Sequence, residues 1–228
     1  MGSAAAIVII LGFVAIALAI VYRVALQRRR AEQKQALEQL ATSKGWQFIA
    51  EDDSYAKRWQ GKPFTSNRGR GRNVIIGQHR GRNFCAFEYS YTTTTSTGQG
   101  TTSQIHYFSV WVIALPAQVP DFSVGAEGVF GGKVAEALGF ERVEVSDQEF
   151  NSTFKVKSDD SSFGTLVLQP DLVDLLKSTG PWDWRFNGQD MISYQSGNLE
   201  VSGLQPRLDL MCDVLDRIPQ DAWRRARR

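Results

Sequence analysis

Residues 83–116 read NFCAFEYSYTTTTSTGQGTTSQIHYFSVWVIALP, and the fold class turns on how this stretch is parsed. From Phe84 to Tyr91 the odd positions Cys85, Phe87, Tyr89 and Tyr91 make one apolar face, with Glu88 and Ser90 opposite. That period of two predicts a half-buried strand. Tyr107 to Leu115 is apolar on both faces apart from Ser109, which predicts a central strand. Between the two, Thr92 to Gln104 holds only Thr, Ser, Gly and Gln. Such a composition buries no core, so it predicts a long mobile hairpin loop joining two antiparallel strands.

Working outward, Gln47–Ala50 and Asn73–Gly77 are further strand candidates, rich in β-branched and aromatic residues. Pro116 and Pro120 predict the exit from the sheet, and Gly128–Leu138 a modest helix capped by Gly139. Arg142–Val145 and Phe150–Lys157 return to alternation, with Phe150, Phe154 and Val156 facing in. Asp160 suits the N-cap of a helical stretch from Phe163 to Lys177, in which Pro170 fits as the first residue of a new helix. Trp182, Trp184 and Phe186 alternate with polar residues, and Met191–Gln195 follows across Asn187-Gly188, which predicts a hairpin. Leu204, Leu208, Met211, Leu215 and Ile218 recur at helical spacing before Pro219, the stripe of a helix packed on its own sheet. The predicted class is α+β: an antiparallel β-sheet with packed helices over residues 45–223, read either as one domain or as subdomains at about 45–122 and 123–223.

The first thirty residues set the location. Met1 to Tyr22 carries no charged side chain, and Arg23, Arg28, Arg29 and Arg30 follow. A hydrocarbon core of about 30 Å needs roughly 20 apolar residues at 1.5 Å each. Residues 1–27 are thus predicted to be a transmembrane helix whose arginines anchor it at the membrane interface, and 28–44 a helical stalk ended by Gly45. Positive residues after the span predict a single-pass protein of the cell (inner or plasma) membrane, N-terminus outside and C-terminal domain cytoplasmic. A cleaved secretory signal would need a positive n-region, which is missing, and the apolar run continues past Ala17-Leu18-Ala19. Cys85 and Cys212 read as two buried small hydrophobes, a single bridge in an oxidising compartment being the alternative.

A net charge of +2 hides a segregation. Residues 23–82 carry 14 Lys or Arg against 5 Asp or Glu, residues 83–223 carry 8 against 19, and the tail at 224–228 is basic. Arg68, Arg70, Arg72, Arg80 and Arg82 form the densest cluster, threaded by Gly69, Gly71 and Gly81. Alternate residues of an extended chain point one way, so the arginines are candidates for an anionic-ligand or lipid-binding row. The competing reading is a strand edge kept soluble by charge. Nucleic acid is an improbable partner, because Asn67–Asn83 interleaves no stacking aromatics with its basic residues.

Catalytic chemistry has little to build on. The two histidines, His79 and His106, sit in no HExxH or cysteine pair, and no G-x-S-x-G, Walker A loop or dinucleotide fingerprint occurs. No cofactor, metal or catalytic residue is assigned from the sequence.

Trp59-Gln60-Gly61-Lys62-Pro63-Phe64, the Arg72–Gly77 segment RNVIIG, FCAFEYSY at 84–91, Leu115-Pro116-Ala117, Glu149-Phe150-Asn151 with Phe154, and Arg217-Ile218-Pro219 before Trp223 carry a resemblance. The chain resembles a family of uncharacterised actinobacterial single-pass membrane proteins, a likeness that covers most of it after the anchor and implies no activity. The function expected is a membrane-anchored binding or scaffolding module with the lipid bilayer and an unidentified protein as partners. The alternatives are an anionic lipid or ligand binder using the Arg-rich strand, and a hydrolase whose dispersed site is a closed cleft holding His79 or His106 beside a carboxylate.

Overall fold

The computed structural model describes residues 2–98, 100–126 and 141–225, the side chains of 2–15 and 225 excepted. The helix predicted at Gly128–Leu138 and the end of the basic tail lie outside the described residues.

β3 (Arg82–Thr97) and β4 (Gly100–Ala126) pair antiparallel from Phe84↔Ile113 without interruption to Thr97↔Gly100. The Thr-rich segment is therefore not a loop. It extends the ladder past the core as an exposed arm, closed by hydroxyl pairs such as Thr94–Ser103 at 3.2 Å and Ser96–Thr101 at 3.3 Å. Threonine has high strand propensity and pairs across strands whether or not it is buried, so lack of core did not mean lack of ladder. Within the domain β3 is buried on both faces, since Phe84 and Ala86 are as enclosed as Cys85 and Phe87.

β2 (Arg70–His79) pairs with β3, and β1 (Gln47–Glu51) pairs with β2. β7 (Trp184–Ser196) lines the opposite edge of β4. Phe122 pairs with both Phe186 of β7 and Ser158 of β6 (Phe154–Ser158), so β6 follows β3 along the same edge. Among the described residues β5 (Glu141–Arg142) completes a seven-stranded antiparallel sheet organised around β4.

Two expectations fail together at one level of the sheet. Pro116 and Pro120 do not end β4, and Asn187-Gly188 does not reverse the chain. Between Ala114 and Phe122 β4 advances eight residues while β7 advances four, from Asp190 to Phe186. The prolines, which cannot donate to a ladder, sit where the register shifts, and Gly188 (φ 62°) pairs with Val119 inside that bulge. Asn187 donates to Asp121 at 3.2 Å. The turn signals produce a shared bend in two continuous strands.

Helices cover one face. α1 (Gly2–Ser43) seats Leu37 and Ala41 in the core, both 0% exposed. Its end is a Schellman motif, with Gly45 at φ 69°, Gly45 N–H bonded to the Thr42 carbonyl and Trp46 N–H to that of Ala41. α4 (Ser161–Val167) is N-capped by Asp160, which accepts from Ser162 and Phe163 N–H, and α5 (Pro170–Thr179) begins at Pro170 as expected. α6 (Val201–Arg217) buries Leu204, Leu208, Met211 and Leu215 against the sheet, and α7 (Gln220–Arg225) adds Trp223. The strand expected from Phe150 starts instead at Phe154. Before it lies α3 (Gln148–Thr153), because Asp147 accepts from Phe150 N–H at 2.9 Å and starts a helical turn. Phe150, Phe154 and Val156 are buried all the same. One core cluster joins Leu37 to Trp223, and the boundary considered near residue 122 falls inside β4.

The second face has a smaller cover. Phe87, Tyr89, Val110, Val112 and Ile192 lie beneath Ala56 of α2 (Ser54–Lys57), Trp59 and Phe64. Trp59 stacks on Phe87 with centroids 5.9 Å apart and donates to Asp190 at 2.9 Å. Cys85 belongs to this cluster and Cys212 to the helix-covered one, so the free thiols stand on opposite sides of the sheet.

The fold is thus α+β, an antiparallel sheet with packed helices. Among the described residues no helix is long and apolar enough to cross a membrane. The greater part of the predicted span, up to residue 15, lies outside the described side chains.

Candidate functional site

The arginine row divides when the chain folds. Arg80 donates to Asp213 at 2.7 Å and Asp216 at 2.6 Å, and Arg82 donates to Asp216 at 2.6 Å. His79 Nε2 meets Asp209 at 2.6 Å. Four acidic-face contacts of α6 therefore occupy the β2–β3 turn, and its arginines tie helix to sheet. The carboxylates hold the Arg80 guanidinium proton above its ordinary range. Arg68 and Arg70 stay exposed, and Arg72 pairs with Glu51 at 3.2 Å.

The alternation itself has a packing cause. A Cβ on Gly69 would stand 2.3 Å from the Tyr89 ring, and one on Gly71 would stand 2.4 Å from the Asp52 carbonyl oxygen. Glycine is required on the inward positions, and what lies between them faces solvent. Sequence spacing identified the outward side and missed the inward constraint.

The fold does bring two predicted basic groups together. Arg30 of the interface set and Arg72 of the strand row line one cleft of about 170 Å³, beside Lys34, Asn73, Glu88 and Tyr107. Arg30 lies over the Tyr107 ring, 5.9 Å from its centroid, and Gln33 donates to the Leu199 carbonyl at 2.6 Å. Glu88 accepts from Leu199 N–H at 3.1 Å. Burial pushes its carboxyl above the ordinary range, against the hydrogen bonds from Leu199 and Asn73 and the charges of Arg72 and Arg30. Arg23, Arg28 and Arg29 are exposed along α1 and line no part of this cleft.

A second opening, of about 320 Å³, lies on the other face between the Lys62–Thr65 segment, Tyr91 within β3, Phe108 within β4 and the end of β7. Tyr91 and Phe108 line it as nearly parallel rings 6.1 Å apart, and Tyr194 meets Phe108 edge-on at 6.4 Å. Asp183 and Lys62 stand at its rim, and burial raises the Asp183 carboxyl above its usual range. The odd-position aromatics of β3 signalled this groove, since Tyr91 continues the face begun at Phe87. His106 stacks on Tyr91 at 4.8 Å and meets Thr93 Oγ1 at 2.9 Å. Neither histidine lines this groove or the α1 cleft. Among the described residues no group of three or more His, Cys, Asp or Glu could hold a metal ion. Cys85 is pushed up to about 12 by burial, which keeps its thiol protonated.

No family model matches the chain, and no curated protein matches it. Among solved structures it is similar to the mycobacterial trehalose monomycolate transport factor A, TtfA, with a TM-score of 0.61 at 13% identity. The match covers 82% of this chain and 98% of that one. At that identity the likeness concerns the fold.

Proposed function

We propose that this protein is a single-pass, membrane-anchored binding module whose α+β domain faces the cytoplasm. The observation that carries the reading is α1. Its C-terminal part is clamped in the core at Leu37 and Ala41, while Ile16, Leu18, Ile20, Val21 and Tyr22 are each more than half exposed. Those residues point around the helix rather than to one side, so no single docking face would cover them, whereas a bilayer would. Arg23, Arg28, Arg29 and Arg30 follow at the cytoplasmic interface. A fold shared with a protein named for trehalose monomycolate transport agrees with work at a membrane. The test is a pair of reporters fused after Arg228, one active only in the cytoplasm and one only outside, with alkaline extraction of membranes. Cytoplasmic activity and an extraction-resistant chain are expected. External activity, or release by alkali, overturns the reading.

A second reading, binding of an anionic headgroup or ligand, draws on the α1 cleft rather than on the whole arginine row. Arg30, Lys34 and Arg72 line it, Arg72 beside its partner Glu51, and planar guanidinium groups suit phosphate or carboxylate. Replacing Arg30 and Arg72 with Ser should weaken the protein's retention of anionic over neutral lipid, and unchanged retention would sink this reading.

A further inference from the structure

We propose that the groove between Tyr91, Phe108, Tyr194 and Asp183 is a binding site for a small zwitterion that joins an ammonium group to a phosphate, of the phosphocholine type. It lies on the face of the sheet opposite the α1 cleft and rests neither on that cleft nor on the anchor. The rings supply the first half of the argument. Tyr91 and Phe108 are inclined by only 5° to one another at 6.1 Å, and Tyr194 meets Phe108 edge-on at 6.4 Å. Aromatic faces carry negative partial charge, and rings gathered around an opening in this way attract ammonium groups.

Asp183 supplies the second half. Its backbone carbonyl accepts from Ser193 Oγ at 3.1 Å and from Tyr194 N–H at 3.4 Å. Its half-buried carboxylate accepts no hydrogen bond from the described residues and forms no ion pair with them. Buried charge without a partner is costly, and burial accordingly raises this carboxyl above its usual range. Two cations reach it through their fields only, Lys62 and Arg207. Arg207 is engaged elsewhere, donating to Gln195 at 2.9 Å and lying over the Trp182 ring, 5.0 Å from its centroid. Lys62 is exposed at the rim.

An acid and a base thus line one opening without meeting, and that selects the ligand. A simple cation would satisfy Asp183 but oppose Lys62, a simple anion would do the reverse, and a neutral ring would leave both charges unmatched. A zwitterion answers both. Its ammonium lies against Asp183 and the rings, and its phosphate takes Lys62, with the hydroxyls of Thr65 and Ser196 as further donors. The opening, at about 320 Å³, falls within the roughly 300–1,000 Å³ usual for small-molecule sites.

The experiment is equilibrium dialysis of radiolabelled phosphocholine against the full chain in maltoside micelles, with choline and inorganic phosphate as competitors and empty micelles as background. Phosphocholine should be retained about tenfold more tightly than choline or phosphate, the scale of one desolvated contact between a cation and a ring. Asp183→Asn and Tyr91→Leu should each weaken retention about tenfold. Lys62→Ser should bring phosphocholine down to the level of choline, and Asp174→Asn on α5, across the sheet, should change nothing. Melting temperatures equal to the parent's separate loss of the site from loss of the fold. No retention in the millimolar range overturns the proposal. So does retention that survives both Asp183→Asn and Tyr91→Leu, or choline competing as well as phosphocholine itself. Phosphatidylcholine added to the micelles, against phosphatidylglycerol, distinguishes the source of a bound ligand: displacement by the former names a lipid headgroup, and no displacement names a free solute.

Discussion

Arg80 and Arg82 share the carboxylate of Asp216, each donating at 2.6 Å to a different oxygen, so that one aspartate of α6 closes the β2–β3 turn. Arg80 also reaches Asp213. Residues that sequence grouped as ligand-binding are thereby spent on tertiary structure. Arg80→Ala should lower stability by about 1 kcal/mol, because exposed pairs contribute little singly and more as a network. The loss should shrink in concentrated salt, and retention of anionic lipid should not change. Chemical denaturation at low and high salt, with lipid co-sedimentation, measures both.

Gly71→Ala places a methyl 2.4 Å from the Asp52 carbonyl oxygen, whose own residue is held by an N–H bond to the Gly71 carbonyl at 3.0 Å. Neither backbone can withdraw without breaking that bond, so a loss of about 2–3 kcal/mol is expected. Arg70→Ser one position away faces solvent and should fall within about 0.5 kcal/mol of the parent. A large cost at Arg70 and none at Gly71 would reverse the account of why the two residue types alternate.

Trp59 holds down the thin cover of the second face. Trp59→Phe keeps the stack on Phe87 and loses the bond to Asp190, at a cost of about 1 kcal/mol. Trp59→Ala empties the site and should cost about 3–5 kcal/mol. Thermal unfolding of the detergent-solubilised chain ranks the pair, and equal losses would show that the hydrogen bond rather than the ring fastens the loop.

Glu88 binds its proton more tightly in the folded chain than its ordinary value of 4.5, because burial disfavours the carboxylate. A raised acid favours the native state below its unfolded value and loses that contribution as pH climbs through the raised one. Glu88→Gln retains an acceptor for Leu199 N–H and removes the titration. Its melting temperature should therefore gain on the parent between pH 4.5 and pH 8, most at the upper end. Parallel pH profiles for the two proteins would contradict the burial account.

Period and punctuation carried much of this architecture. The odd-position face from Cys85 to Tyr89, the N-cap at Asp160, the restart at Pro170 and the stripe from Leu204 to Ile218 all rest on local chemistry that a sequence exposes directly. What stayed hidden depends on partners distant in sequence. Asn187-Gly188 is a turn signal in isolation, and only the surplus residues of β4 opposite it convert the turn into a bend. The threonines formed strand because each found a neighbour across the arm, a pairing that composition does not reveal. The site was less legible for the same reason. Arg30 and Arg72 line one cleft only because α1 packs on the helix-covered face beside β1 and β2, and Arg80 is lost to the row only because α6 arrives with three aspartates on one side.

β4 carries a timing consequence. Its β3 partner precedes it, but β7 begins at Trp184, after residues 127–183 have left the ribosome. At about 5–20 residues per second that interval is roughly 3–11 s. For its duration the N-terminal half of the sheet can assemble on β3 while the other flank of the longest strand stays open. The bulged, proline-bearing middle then serves nascent protein as much as mature fold, because an irregular edge with missing donors is a poor template for a neighbouring chain emerging beside it.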